Sequence, residues 1–460
     1  MFKRWIFALL AACGLLLIAT QAGAQHPSSP KARTPPTVPI ITANVRNVLV
    51  PVLVTNKHGH PISNLQRSDF TVFEDGVPQQ IIAFSKTYST SLDLSARASN
   101  GNASANFRST LRRMGPDSPI RNYLICVDTL HSNFGDVVQA RRGLTKFFRK
   151  EHDPKAQYAL MILGRNIEVI QDATRDPSAI LSALKSKKFQ SGIIDGEASN
   201  IASQEEQLQR MVAGTPTTAC SPRFACMALK RRVRWFIDKS ANRTALLTRD
   251  FLRELTAIIN AMASMPTERT LILISDGFTL APGEELYSIA SAYFPDDLEF
   301  RINPRQTQPM LDRILQLAEK DNVVVYGLDS RGVPTLNSAE NLDASHHGDP
   351  NQQSVGAVQQ MILNEGAIAY QNGSALSQLA SATGGIYFEN QNRLLPGLQR
   401  AFNDERVRYL IAYSPSNQTA DGQYRKIRVA VKGKKLRVYA KAGYWAPGGQ
   451  SRAGEPEMTH

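Results

Sequence analysis

The pattern of apolar and polar positions changes character twice along the chain. Val48, Val50, Val52 and Val54 alternate with other residues, the period of a half-buried strand. Asn56-Lys57-His58-Gly59 reads as a turn and Phe70-Thr71-Val72-Phe73 as a second strand. Glu74-Asp75-Gly76 is a tight turn, and Gln80–Phe84 closes the run. Residues 40–85 are thus expected to form a small all-β unit. From Asn122 strands alternate with helices. The apolar run Tyr123–Val127 stops at Asp128, and Val137–His152 has helical spacing with Val138, Leu144, Phe147 and Phe148 as candidate core. A hairpin is expected over 158–163 and 167–171, and helices over 177–187, 226–239, 247–265, 309–320, 374–383 and 391–403. The apolar runs before Asp276 and Asp329 and the segment 386–388 read as further strands. Such alternation implies a Rossmann-like, doubly wound, mostly parallel sheet covered on both faces. After Glu405 the strand period returns at 408–413, 425–432 and 435–441.

The expected organisation follows. Residues 40–85 and 405–446 are β units flanking an α/β domain at 118–404, which carries an insertion at about 189–225. Residues 25–39 (Pro/Ser-rich) and 86–117 are linkers, and 447–460 is a tail. Three strands bury little alone. The two β segments are therefore expected to form one β-sandwich, with Val50, Val52, Phe70 and Val72 facing Leu410, Ile427, Val429 and Val438.

Composition changes this picture in two places. The start combines Lys3 and Arg4, an apolar stretch and Ala22-Gly23-Ala24, the layout of a signal peptide at 1–24. A lipoprotein-like box at Leu10–Cys13 is the alternative, disfavoured because the apolar stretch runs on through Leu15–Ala19. No later run approaches the roughly 20 apolar residues of a membrane span. The mature chain is expected to be exported, to the periplasm, cell surface or beyond. There Cys220 and Cys226 could close a short disulfide, while Cys126 sits in a strand as a small hydrophobe. The 53 Lys and Arg residues outnumber 40 Asp and Glu, a net charge of +13. The densest basic run, Leu229–Lys239, places Leu229, Val233, Phe236 and Ile237 on one helical face, so its charges read as a solvated face and not as a nucleic-acid site. Polyanionic envelope glycans remain a candidate partner.

The candidate chemistry lies at strand ends. Asp128 with Ser132 after the first strand, and Asp276-Gly277 after a later one, resemble a von Willebrand factor A (VWA) domain. The flanking fragments Leu65-x3-Asp69-Phe70-x-Val72-x-Glu74-Asp75-Gly76, Ala380-x2-Thr383-Gly384-Gly385 and Tyr409-x3-Tyr413 with Ala442-Gly443-Tyr444 resemble the secreted, acidobacterial-type VWFA-related proteins, over about residues 45–446. The resemblance implies a sheet rim that can hold Mg²⁺ in a metal-ion-dependent adhesion site. Its ligands would be Asp128, Ser132, a threonine at Thr244 or Thr248, and Asp276. Mg²⁺ suits such a set, since it takes six hard oxygens and few direct carboxylates. The chain departs from the pattern where Leu130 replaces a serine ligand, so affinity should fall. The alternative is that these side chains hydrogen-bond loop amides at the rim. Asp329 is expected to fix its own turn with Arg331, and Asp136 to suit the start of the first helix.

No nucleophile elbow, zinc-binding His-Glu-x-x-His, phosphate loop or dinucleotide fingerprint is present, so an enzyme is not expected. What the resemblance implies is an adhesion-type protein that binds a protein partner through the rim. The competing readings are a structural envelope protein adhering to polyanions through basic patches, and a hydrolase with dispersed residues.

Overall fold

The computed structural model describes residues 47–86, 121–331 and 373–447, except 151, 195–197, 213–222, 264, 266–268, 295–296, 301–305 and 390–393. The expected signal peptide, both linkers and Cys220 of the expected disulfide lie outside the described residues, as does the side chain of Cys226.

The amino-terminal segment supplies β1 (Val48–Thr55), β2 (Phe70–Glu74), β3 (Val77–Gln79) and β4 (Ile81–Ser85). The carboxy-terminal segment supplies β11 (Tyr409–Tyr413), β12 (Tyr424–Val431), β13 (Arg437–Ala440) and β14 (Gly443–Trp445). Neither segment makes a sheet by itself. One four-stranded sheet runs β13-β1-β11-β4 and another β14-β12-β2-β3, so each mixes strands from both ends of the chain. Between them lies a core of Val50, Val52, Val54, Val72, Tyr409, Ile411 and Tyr413, all fully buried. Leu410 is not part of it. Pairing sets Val50 opposite Ile411 and Pro51 opposite Leu410, so the inward phase of β11 falls on the odd-numbered positions.

The fragments that carried the resemblance join these halves. Asp75 and Gly76 take the positive φ angles (47° and 86°) of a two-residue hairpin turn. The buried carboxylate of Glu74 accepts hydrogen bonds from Tyr413 Oη (2.6 Å) and Tyr444 Oη (3.0 Å). Tyr409 Oη donates to the Ile62 carbonyl (2.7 Å) and accepts from the Leu65 amide (3.1 Å).

The middle of the chain builds a six-stranded sheet: β5 (Arg121–Asp128), β6 (Ala156–Leu163), β7 (Ile167–Thr174), β8 (Arg269–Ser275), β9 (Val323–Asp329) and β10 (Tyr387–Phe388). Their spatial order is β10-β9-β8-β5-β6-β7, with every pairing parallel except the β6–β7 hairpin. Helices α1 (Phe134–Lys150), α2 (Pro177–Ala183), α3 (Lys187–Ile194), α4 (Ala198–Val212), α5 (Arg223–Met262), α6 (Glu284–Tyr293), α7 (Gln308–Lys320), α8 (373–382) and α9 (Leu394–Glu405) complete the domain. Tyr123, Ile125 and Val127 of β5 pack under α1, α2 and α9. Leu124 and Cys126 face α5, α7 and α8. Burial on both faces is why the strand reads as an unbroken apolar run. It also pushes the Cys126 thiol well above its usual range.

Two local expectations change. Val137, not Val138, takes the core position on α1. The two helices expected at 226–239 and 247–265 are one 40-residue helix, because 240–246 contains neither glycine nor proline to stop it. Within α5, Val233 and Ile237 face a satellite core with Leu208 and Val212 of α4 and Leu286 and Tyr287 of α6. The expected insertion at about 189–225 thus contributes α4 to this satellite core.

Thr383-Gly384-Gly385 fastens α8 to the sheet and the sheet to the sandwich. Thr383 Oγ1 accepts from the Val325 amide (3.0 Å), and a Cβ on Gly385 would stand 1.9 Å from the Val325 carbonyl oxygen. Gly384 has φ +80°, and a Cβ there would meet the Lys441 amide of the carboxy-terminal segment. Glycine is required at both positions.

Candidate functional site at the carboxyl rim of the parallel sheet

The chain enters the six-stranded sheet at β5, fills one side with β6 and β7, then returns beside β5 with β8 and fills the other side. The switch point is the crevice between β5 and β8, where ligands of open α/β sheets bind outside the strand carboxyl ends. Asp128 ends β5, Asp276 follows β8 and Asp329 ends β9, so three aspartates stand on adjacent strands at that rim.

Each aspartate is held by a hydroxyl from the neighbouring strand. Ser275 Oγ donates to Asp128 Oδ2 (2.6 Å), Ser330 Oγ to Asp276 Oδ1 (2.7 Å) and Tyr387 Oη to Asp329 Oδ2 (3.1 Å). All three donations run in one direction, from β8 to β5, β9 to β8 and β10 to β9. The remaining oxygens are also engaged. Asp128 Oδ1 accepts the amides of Leu130 (2.9 Å) and His131 (3.1 Å), while His131 Nδ1 meets Oδ2 at 3.1 Å. Asp276 Oδ2 accepts the Asn133 amide (3.0 Å), and the Asp276 amide in turn donates to Ser132 Oγ (3.1 Å). Asp329 fixes its own turn, as expected from sequence, by binding the Arg331 amide and guanidinium.

Asp136, in the first turn of α1, also hydrogen-bonds the Asp276 side chain. Burial, and then the Asp136 charge, push Asp276 well above the usual carboxylate range; burial likewise raises Asp136. Two carboxyl groups that repel in this way do not both ionise readily. A carboxyl whose folded pKa lies above its unfolded value contributes stability at low pH and loses it as pH rises through the folded pKa. The Asp136→Asn variant should therefore lose less stability than the parent between mildly acidic and mildly alkaline pH. Urea unfolding at the two pH values measures it; an unchanged pH slope would refute the shared-proton pair.

The structure brings Asp128, Ser132 and Asp276 together. It does not hydrogen-bond Thr244 or Thr248 to them: both are buried on α5, and Thr248 Oγ1 has no partner among the described residues. His131 instead packs against α5, its ring 4.8 Å from that of Phe251, one turn beyond Thr248, and its Nε2 has no partner among the described residues. Thr129 points away, with Oγ1 donating to the Leu163 carbonyl (3.4 Å). Leu130, which replaces the serine ligand, turns away from the rim; it is 2% exposed in the core shared with Leu163 and Phe251.

This donor set does not fit Mg²⁺ as arranged. A carboxylate offers about four lone-pair positions, and those of Asp128 are taken by two amides, a hydroxyl and an imidazole. At the rim, the buried side-chain atoms left without partners among the described residues are His131 Nε2 and Thr248 Oγ1, not the carboxylate oxygens that a hard cation needs. Among the described residues no group of three or more His, Cys, Asp or Glu side chains could hold a metal ion. Replacing Leu130 with serine would not simply restore a ligand. It should cost about 2–5 kcal/mol, the range for truncating a buried leucine, measured by urea unfolding; a loss below 1 kcal/mol would mean that Leu130 is not core.

His131, Ser275 and Ser330 escape sequence reasoning. The only signal available for them is proximity to a strand-end aspartate. Outside the rim loop lies Phe134, 64% exposed at the start of α1 and next to Asn133, whose amide binds Asp276.

No family model matches the chain, and no curated protein matches it. Among solved structures, it is similar to an aerotolerance-related membrane protein from Bacteroides fragilis NCTC 9343. That match has 12% identity and a TM-score of 0.28, covering 62% of this chain and 98% of that one. It is also similar to the pilus adhesin SpaC from Lactobacillus rhamnosus GG in its open conformation. There the identity is 11% and the TM-score 0.23, covering 72% of this chain and 44% of that one. Among the described residues no helix is long and apolar enough to cross a membrane.

Proposed function

We propose that the chain is an exported, adhesion-type binding protein, not an enzyme. It would grip a protein partner through the carboxyl rim of a VWA-like domain, in the crevice between β5 and β8. The observation that carries this reading is the row of three aspartates at the topological switch point, locked by hydroxyls from the neighbouring strands. The network leaves the rim loop rigid, and rigid presentation lowers the ordering cost of binding. It also leaves Phe134 projecting beside the rim, an exposed aromatic of the kind that anchors interfaces. With its carboxylate oxygens engaged, the rim works without a retained Mg²⁺, and the degenerate adhesion motif becomes a brace for the loop.

The test is capture of envelope proteins by the immobilised chain and by its Phe134→Ala variant. Exposure of Phe134 means that the substitution should leave folding unchanged. The partner captured by the parent should be lost, or weakened at least tenfold, in the variant. Equal capture by both would sink the rim assignment.

A further inference from the structure

A groove of about 390 Å³ lies between α1 and the α2–α3 connection. Four cations of α1 line it, Arg141, Arg142, Lys146 and Arg149, together with Lys185 from the connection. Leu184, 1% exposed, is part of its lining. Among the described residues none of the five cations pairs with a carboxylate, and no carboxylate lines the groove. The denser basic run of α5 differs in this respect, since Lys230 pairs with Asp297 (3.4 Å) and Arg234 with Asp238 (3.1 Å).

Unbalanced charge of this kind has a cost. Arg142 and Lys146 are four residues apart on one helix and Lys146 and Arg149 three apart, spacings at which like charges repel and destabilise. An anionic ligand would offset that repulsion. Arginine forks bind tetrahedral oxyanions in bidentate fashion. The seven-residue step from Arg142 to Arg149 spans about 10 Å along the helix axis. The volume sits near the low end of small-molecule sites and far below what a folded protein would fill.

We propose that this groove binds a ligand of about the size of one or two sugar rings that carries at least two phosphoryl groups roughly 10 Å apart. The ligand could be soluble or the headgroup of a phosphorylated lipid; the chemistry that the groove reads is the same. The site is separate from the rim. Phe134 opens α1 at the rim, whereas the groove occupies the later turns of that helix, so the two assignments succeed or fail independently.

The experiment titrates the full chain with inositol hexakisphosphate, with inorganic phosphate, and with phosphatidylcholine vesicles with or without phosphatidic acid. The parent should bind inositol hexakisphosphate at least tenfold more tightly than inorganic phosphate. Binding should weaken at least tenfold in the doubly substituted Arg142→Ala/Arg149→Ala chain. It should change less than twofold in Arg231→Ala/Arg232→Ala, which removes the same charge from the exposed face of α5. Groove-dependent binding of phosphatidic acid vesicles would identify a lipid headgroup as the source, and binding of the soluble phosphate alone a soluble ligand. Equal weakening in both double variants would show attraction by net charge only and overturn the proposal. So would inorganic phosphate binding as tightly as the hexakisphosphate, or no binding of either the hexakisphosphate or the vesicles.

Discussion

Replacing Arg408 with alanine is expected to lower the unfolding free energy by about 3–5 kcal/mol, the range for removing one partner of a buried ion pair. Arg408 is fully buried where α9 passes into β11. Its guanidinium meets Glu405 Oε1 (2.9 Å), the Gly384 carbonyl (2.9 Å) and Tyr326 Oη (2.6 Å). Thr270 Oγ1 of β8 donates to the other oxygen of Glu405 (3.2 Å). One side chain thus ties α9, β9 and the Gly-Gly turn to the strand that leads into the sandwich. Without it Glu405 is left charged and buried with only a hydroxyl for company. The double variant Arg408→Met/Glu405→Leu should recover much of the loss, because removing both charges also removes the desolvation penalty. Chemical denaturation of the three chains decides it; a loss near 1 kcal/mol for the single variant would show that water reaches the site.

Deleting residues 405–460 should have a larger effect still. β1 lies between β11 and β13, and β2 pairs with β12, so the deletion strips β1 of both neighbours and β2 of one. The Glu74 carboxylate loses Tyr413 and Tyr444, and Val50, Val52 and Val72 lose most of the core that covers them. The segment 47–86 should then be cut rapidly by protease, while the two cores on either face of the parallel sheet stay protected. A protease-resistant 47–86 fragment would mean that this segment folds without its carboxy-terminal partner strands.

The elements were legible in the sequence wherever burial imposes a period. The apolar runs that stop at Asp128, Asp276 and Asp329 mark strand ends because a strand packed on both faces stays apolar until it reaches the loop amides and hydroxyls of the rim, which a carboxylate can accept from. The valine alternation marks β1 as a strand but not that its other face is covered too, with Leu53 fully buried in the core beneath α1. The phase of β11 was not legible, since Leu410 and Ile411 are equally apolar and only pairing with β1 selects between them. At the rim, types and order of residues were legible but not partners. The hydroxyls that lock Asp128, Asp276 and Asp329 come from 147, 54 and 58 residues away, distances at which spacing carries no information. Leu130 reads as a lost ligand from its place in the motif, yet the loop turns its side chain into the core. The basic groove was hidden for a similar reason. Lys185 joins four α1 cations only after the chain has passed through β6, β7 and α2.

The proposed rim is a preformed docking surface braced by protein hydrogen bonds and not by a retained ion. The most direct measurement is partner capture by the full chain in Mg²⁺ and in EDTA at the same ionic strength. The same partner should be captured to within about twofold in both, because the Asp128 and Asp276 oxygens already have their donors. Capture in Mg²⁺ that disappears in EDTA and returns on adding the metal back would contradict it.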